Sequence, residues 1–184
     1  MLKKKQANKG AILVLVLLMT SAVISAGTVL LSTSVTNYKM KHINRRVKKA
    51  QYNAEGALNE AYAIAIEYIE SALGYAHDKE NFINSYLNFL LGNCEDLSDN
   101  IGLINFLKDN RNYIIYNNSN IFIEAEIFNK IDFLQLEIVA SCIDEKIERK
   151  IKMTCHILIP EDKSSCNTIE PEDLIYIYDW KLES

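Results

Sequence analysis

Ala11 to Leu31 is a run of 21 residues without one charged side chain. A helix rises about 1.5 Å per residue, so such a run spans roughly 30 Å, the thickness of a bilayer's hydrocarbon core. Its polar members, Thr20, Ser21, Ser25 and Thr28, can bond back to carbonyls one turn earlier and are tolerable in lipid. A secretory signal peptide is the rival reading. Its apolar core is about 7 to 15 residues long and ends in small residues at a cleavage site. Here the small residues Ser25, Ala26 and Gly27 are followed by more apolar sequence, so the run reads as an uncleaved anchor.

Charge is distributed unevenly around this anchor. The first 49 residues carry ten bases (Lys3, Lys4, Lys5, Lys9, Lys39, Lys41, Arg45, Arg46, Lys48, Lys49) and no acid. Residues 50–184 hold the other 10 bases against all 24 acids, a net charge of −14. An acidic domain lacks the Lys and Arg excess that phosphate-backbone binding requires, so nucleic acid is not an expected partner. Bases flank the anchor on both sides, four before and six after, and the positive-inside rule leaves its orientation open. With 184 residues, the chain has room for the anchor and one ordinary domain.

Helical spacing continues past the anchor. Met40, Ile43, Val47, Ala50, Ala54, Ala57, Ala61, Ile64 and Tyr68 recur at intervals of three and four, which draws one narrow stripe along a helix. No Pro interrupts it, Gly56 costs about 1 kcal/mol relative to Ala, and Gly74 is the first strong stop signal. The pattern predicts one helix from near Ala11 to about Ala72.

After Gly74, Phe82 to Leu90 and Ile101 to Leu107 read as short helices, the second capped by Asp99 or Asn100. Their acidic separator, residues 93–100, lacks the spacing of an EF-hand and reads as turn and capping chemistry. Strands are expected over Tyr113–Tyr116, Ile121–Phe128, Phe133–Cys142, Ile147–Ile159 and Leu174–Trp180. With Asp144 and Glu145 as a two-residue turn, Leu134, Leu136, Ile138 and Cys142 face Cys155, Met153, Ile151 and Ile147. Gln135, Glu137, Glu148, Lys150 and Lys152 then occupy the other, wet face, and His156 falls among them as a surface residue. The expected fold class is α+β: a long N-terminal helix packed on a small antiparallel sheet, with short helices between.

Four cysteines, Cys94, Cys142, Cys155 and Cys166, permit disulfides but contain no C-x-x-C pair. In that register Cys142 and Cys155 lie eight residues apart along the ladder, about 27 Å. A disulfide needs alpha carbons within about 7 Å, so these two are not expected to bond. Cys155 with Cys166, a bridge from Cys94, or free thiols all remain open.

The chain shows no G-x-S-x-G, H-E-x-x-H, Walker or dinucleotide fingerprint, and His42, His77 and His156 are nowhere at ligand spacing. Neither enzyme activity nor a metal or other cofactor is expected.

Lys3-Lys4-Lys5-Gln6-Ala7-Asn8-Lys9-Gly10, followed by Ala11-Ile12-Leu13-Val14-Leu15, resembles a prepilin leader of the type IV pilin family. The resemblance implies cleavage after Gly10 by a prepilin peptidase and N-methylation of Ala11, now the first mature residue. Two departures stand out: Ala11 replaces the usual Phe, and Leu15 replaces the usual Glu at the fifth mature position. That carboxylate normally neutralises a neighbouring subunit's amine, and some minor pseudopilins also lack it. Residues 41–50 and the Ala-rich stretch Gln51 to Ala61, with its internal Ala54-Glu55, resemble the post-anchor segment of PilX-type minor pilins.

The resemblance implies a leader at residues 1–10, a transmembrane half of the long helix at 11–31, its soluble half at 32–74, and an extracytoplasmic helix-and-sheet domain at 75–184. It further implies a minor pilin or pseudopilin, single-pass in the cytoplasmic membrane and carried to the cell surface on assembly. Its partners would be other pilin subunits, the prepilin peptidase, the assembly platform and the membrane. A non-polymerising bitopic protein and a DNA-uptake pilin are the alternatives.

Overall fold

The computed structural model describes residues 2–94, 96, 97, 100–109, 113, 120–161 and 170–183, with side chains from residue 10 onward. Its contacts divide the chain into two units, residues 1–45 and 46–184. Helix α1, Leu2–His77, is continuous in backbone hydrogen bonding. It exceeds the expected span at both ends. Gly74 does not stop it, because its backbone stays helical and its open side has nothing within 4 Å to pack against. The helix yields three residues later, where the Lys79 N–H returns to the Ala76 carbonyl at 3.1 Å.

In the first unit every residue from Gly10 to Arg45 is exposed. Of the four hydroxyl side chains in the apolar run, the two threonines bond back within the helix: Thr20 donates to the Val16 and Leu17 carbonyls at 3.0 Å, and Thr28 to the Ser25 carbonyl at 2.8 Å.

The second unit is built around the remainder of α1. Ala50, Ala54, Ala57, Leu58, Ala61, Ile64, Ala65, Tyr68, Ile69, Ala72 and Ala76 are buried in one core with the sheet. The stripe read from the sequence is therefore the core face from Ala50 onward, while Met40 and Ile43 at its start are 59% and 53% exposed. Small side chains predominate on this face, with Leu58, Ile64 and Ile69 buried among them.

Two short helices follow, α2 (Phe82–Leu91) and α3 (Gly102–Lys108), close to the expected limits. Gly92 ends α2 in the left-handed conformation, φ 76°, and Gly102 opens α3 at φ 77°. A Cβ on Gly92 would sit 2.9 Å from the Gly102 nitrogen, and one on Gly102 2.9 Å from the Gly92 nitrogen. Both positions therefore require glycine. Asn100 closes the loop between them: its Oδ1 accepts from the Gly102 N–H at 2.9 Å and the Tyr68 hydroxyl at 2.7 Å, and its Nδ2 donates to the Phe89 carbonyl at 3.1 Å. Neither candidate stands at the N-cap of α3, which is Ile101 and has no side-chain cap hydrogen bond; Asn100 bonds the Gly102 N–H from one residue earlier, and Asp99 lies outside the described residues.

The sheet has four antiparallel strands in the order β1 (Ile121–Asn129), β2 (Phe133–Asp144), β3 (Ile147–Leu158) and β4 (Ile175–Glu183). Three of the five expected strands begin where the sequence placed them. The fourth starts one residue late, because Leu174 closes a 3-10 turn, and Ile114 to Tyr116 of the fifth lie outside the described residues. Tyr113 is buried outside any strand, its hydroxyl donating to the Leu107 carbonyl at 2.6 Å.

The expected hairpin register is corrected by two residues. The turn is Glu145-Lys146, with Glu145 at φ 55°, so Leu134, Leu136, Ile138 and Ala140 face Ile157, Cys155, Met153 and Ile151. A slip of two keeps every side chain on its face, so hydrophobic parity could not distinguish the registers. In the observed one Ala140 faces Ile151, and Arg149, opposite Ala140 in the expected register, pairs with Cys142 two residues before β2 ends. Cys94, Cys142 and Cys155 are free, and Cys166 lies outside the described residues.

Candidate functional site

Gly10 and Ala11, the predicted cleavage and methylation positions, lie within α1, and the backbone is helical on both sides of them. Gly10 has nothing within 4 Å of where a Cβ would stand. Its conformational freedom is thus not used in the folded chain, and an extended conformation in a peptidase cleft would require this turn to unwind. From Ala11 to Leu31 the helix is apolar on all sides and exposed on all sides, with Leu15 55% and Leu31 70% exposed. A helix of that kind is stable only in apolar surroundings, whether lipid or other helices. It is long and apolar enough to cross a membrane.

Arg46, the first residue of the second unit, reads in the sequence as one more base of the Lys39–Lys49 cluster. In the structure its guanidinium grips the β2–β3 turn. Its Nη2 donates to Asp144 Oδ1 at 3.0 Å and to the Asp144 carbonyl at 3.2 Å, Nε reaches Asp144 Oδ2 at 3.3 Å, and Nη1 pairs with Glu145. Its hydrogen bonds to Asp144 and then to Glu145 hold the guanidinium pKa above its ordinary value. No local signal marks this pairing, because its two halves are 98 residues apart. An Arg at the domain boundary and an Asp-Glu pair at a hairpin turn are the only hints.

The outer sheet face differs from expectation at His156. It is 9% exposed rather than a surface residue, stacked between Phe133 at 4.1 Å and Tyr178 at 4.5 Å, with its Nδ1 3.1 Å from the Tyr176 hydroxyl. Rings on β2 and β4 cover it. Beside this stack a shallow hollow of about 240 Å³ is lined by Gln135, Glu137, Lys152, Thr154, Tyr178, Asp179 and Lys181. The charged groups there are paired with one another, Glu137 with Lys152 at 2.6 Å and Asp179 with Lys181 at 2.5 Å. The first pair bridges β2 and β3 and the second lies along β4, so the lining presents no net charge to a ligand.

No family model, curated protein or solved structure matches this chain. What the chain does show is a pilin-like arrangement: a long apolar N-terminal helix whose later part packs on a small antiparallel sheet. Within the second unit that packing is direct, since the Tyr62 hydroxyl donates to the Ile175 carbonyl at 3.0 Å and Asn53 Nδ2 lies 3.9 Å from Cys142 Sγ.

Proposed function

We propose that this protein is a minor structural subunit, a minor pilin or pseudopilin, of a type IV pilus or related fibre. It would be held in the cytoplasmic membrane until assembly, with its acidic domain outside. The observation that carries this reading is the helix of residues 11–31, apolar and exposed on every side, directly preceded by a basic leader ending in Gly10. Leaving lipid for a core of neighbouring helices exchanges one apolar environment for another at little cost, so such a helix can serve as both anchor and assembly element. Leu15, where a charge-neutralising carboxylate is usual, favours a low-copy or terminal position over the repeating shaft.

Intact mass of the membrane-extracted chain, expressed with its own prepilin peptidase beside a Gly10→Ala variant, tests the proposal. The expected result is loss of residues 1–10 with one added methyl, abolished by the substitution. Full-length mass in both chains would overturn it and leave a non-polymerising bitopic protein.

A further inference from the structure

On the outer face of the sheet, β4 departs from regular alternation. Thr154 pairs with Asp179 and Cys155 with Ile177, so Tyr178 is an extra residue without a partner on β3. This bulge lets two consecutive side chains, Tyr178 and Asp179, line the same hollow, which a regular strand forbids. The Tyr178 ring lies 15° from parallel to that of His156, and His156 rests in turn on Phe133. One face of the Tyr178 ring is thus covered and its orientation braced. The residue is nevertheless 67% exposed, which leaves the opposite ring face open.

The groups around that ring narrow the ligand it can take. Two carboxylates, Glu137 and Asp179, are matched by two ammonium groups, Lys152 and Lys181, so the hollow is neutral. The sheet beside it is acidic, with exposed Glu126 opposite Glu137 on β1, and residues 50–184 carry a net charge of −14. Phosphates and other anions are therefore repelled. An apolar ligand would strip water from these polar groups and give no hydrogen bond in return. A cation finds both carboxylates already neutralised.

Neutral hydroxyls meet none of these objections. Glu137 accepts from Lys152 at 2.6 Å and from Gln135 at 2.9 Å, which fills two of about four lone-pair sites, and each ammonium has three N–H donors. Sugar hydroxyls both donate and accept, so they can use the spare capacity of both members of a pair. The C–H face of a pyranose carries slight positive charge, which complements the negative face of an aromatic ring. At about 240 Å³ the hollow is smaller than the roughly 300–1000 Å³ that enclose drug-sized ligands, a size for one ring.

We propose that this hollow binds a neutral saccharide, one pyranose ring stacking on Tyr178 while its hydroxyls bond the Glu137–Lys152 and Asp179–Lys181 pairs. The site lies wholly in the second unit and stands whether or not the chain assembles into a fibre.

Nuclear magnetic resonance of the full chain tests it, with carbon-13 tyrosine and in polyoxyethylene micelles, whose headgroups carry neither sugar nor charge. Tyr178→Phe assigns the Tyr178 ring signal by its loss. The probes are cellobiose, lactose and N,N′-diacetylchitobiose, each titrated to about 20 mM, far enough to fill a site with a millimolar Kd. Expected is a saturable shift of the Tyr178 signal with at least one of them, and transfer of saturation from the protein to that sugar's ring C–H protons. Affinity should change little with salt, because the ligand bears no charge. Tyr178→Ala should weaken binding about tenfold, and Tyr178→Trp should recover it. Circular dichroism checks that both variants fold, and the shift in the parent chain needs neither. A Tyr178 signal unmoved by all three sugars would overturn the proposal. So would undiminished affinity in folded Tyr178→Ala, tighter binding of glucuronate than of the neutral sugars, or a response to choline alone, which assigns the ring to a cation.

Discussion

Arg46 and Asp144 are joined by three hydrogen bonds from one guanidinium, at 3.0, 3.2 and 3.3 Å, across a sequence separation of 98 residues. The bond fixes the tip of the β2–β3 hairpin to the point where α1 enters the second unit. A fork of this kind uses the planar geometry of Arg, which Lys cannot reproduce. Arg46→Lys and Arg46→Ala should therefore both lower the thermal midpoint, by less than any large-to-small change in the core, and the loss should shrink as salt is added. A Lys variant as stable as the parent would show that charge alone, rather than the fork, holds the turn.

Ala57 and Leu136 test the helix-on-sheet core from opposite directions. Both are fully buried. Ala57→Leu inserts volume at a fully buried position on a face built mostly of alanine, with an expected loss of about 1–3 kcal/mol. Leu136→Ala leaves a cavity in the middle of the sheet, with an expected loss of about 2–5 kcal/mol. Urea titrations of the second unit's signal within the full chain in detergent would measure both. If Ala57→Leu were neutral, the alanine stripe would not be a packing contact.

Glu137 is held below the usual carboxylate range, first by its hydrogen bond from Lys152 and more weakly by Gln135, against the opposing effect of burial. A depressed carboxylate contributes stability that is complete above its unfolded pKa, about 4.3, and is lost as pH falls through the lower folded value. Stability should thus decline below about pH 4.3 through this group, and Lys152→Met should flatten that part of the profile. The pair is partly exposed, so its contribution should be small and salt-sensitive. An unchanged acid limb in the Met variant would count against it.

Burial pushes the Cys155 thiol up to about 12 and also raises Cys142. An unfolded thiol ionises near pH 8.5, so stability contributed by the buried neutral form is complete below that pH and falls as pH rises toward 12. Thiolate is the reactive species, and in the native chain an alkylating agent should modify Cys94, which is only half-buried, well before Cys142 or Cys155. Peptide mass mapping after brief labelling at pH 8 reads this directly. Early modification of Cys155, or a disulfide linking it to Cys142, would contradict the sheet register.

The order of elements was legible because each carries its own local signal. Alternation of apolar and polar residues marks Phe133 to Cys142 and Ile147 onward as half-buried strands, and three-four spacing marks Ala50 to Tyr68 as a buried helix face. Both readings depend only on parity, which survives a slip of two residues. The hairpin turn did not survive: the choice between Asp144-Glu145 and Glu145-Lys146 is made by pairing along the whole strand and by Arg46 seizing Asp144. His156 escaped for a related reason. Its parity correctly puts it on the outer face, but the rings that bury it arrive from residues 133 and 178 on two other strands.

Taken alone, the sequence determined the 21-residue apolar span, the basic and acidic segments and the α+β class, because length, charge and period are properties of contiguous residues. Tertiary structure decided which bases are engaged and which stay bare, where core packing along α1 begins, the strand register, and the burial of His156 and Cys155. Those outcomes depend on groups brought together from distant positions, and no window of sequence contains both partners of a long-range contact.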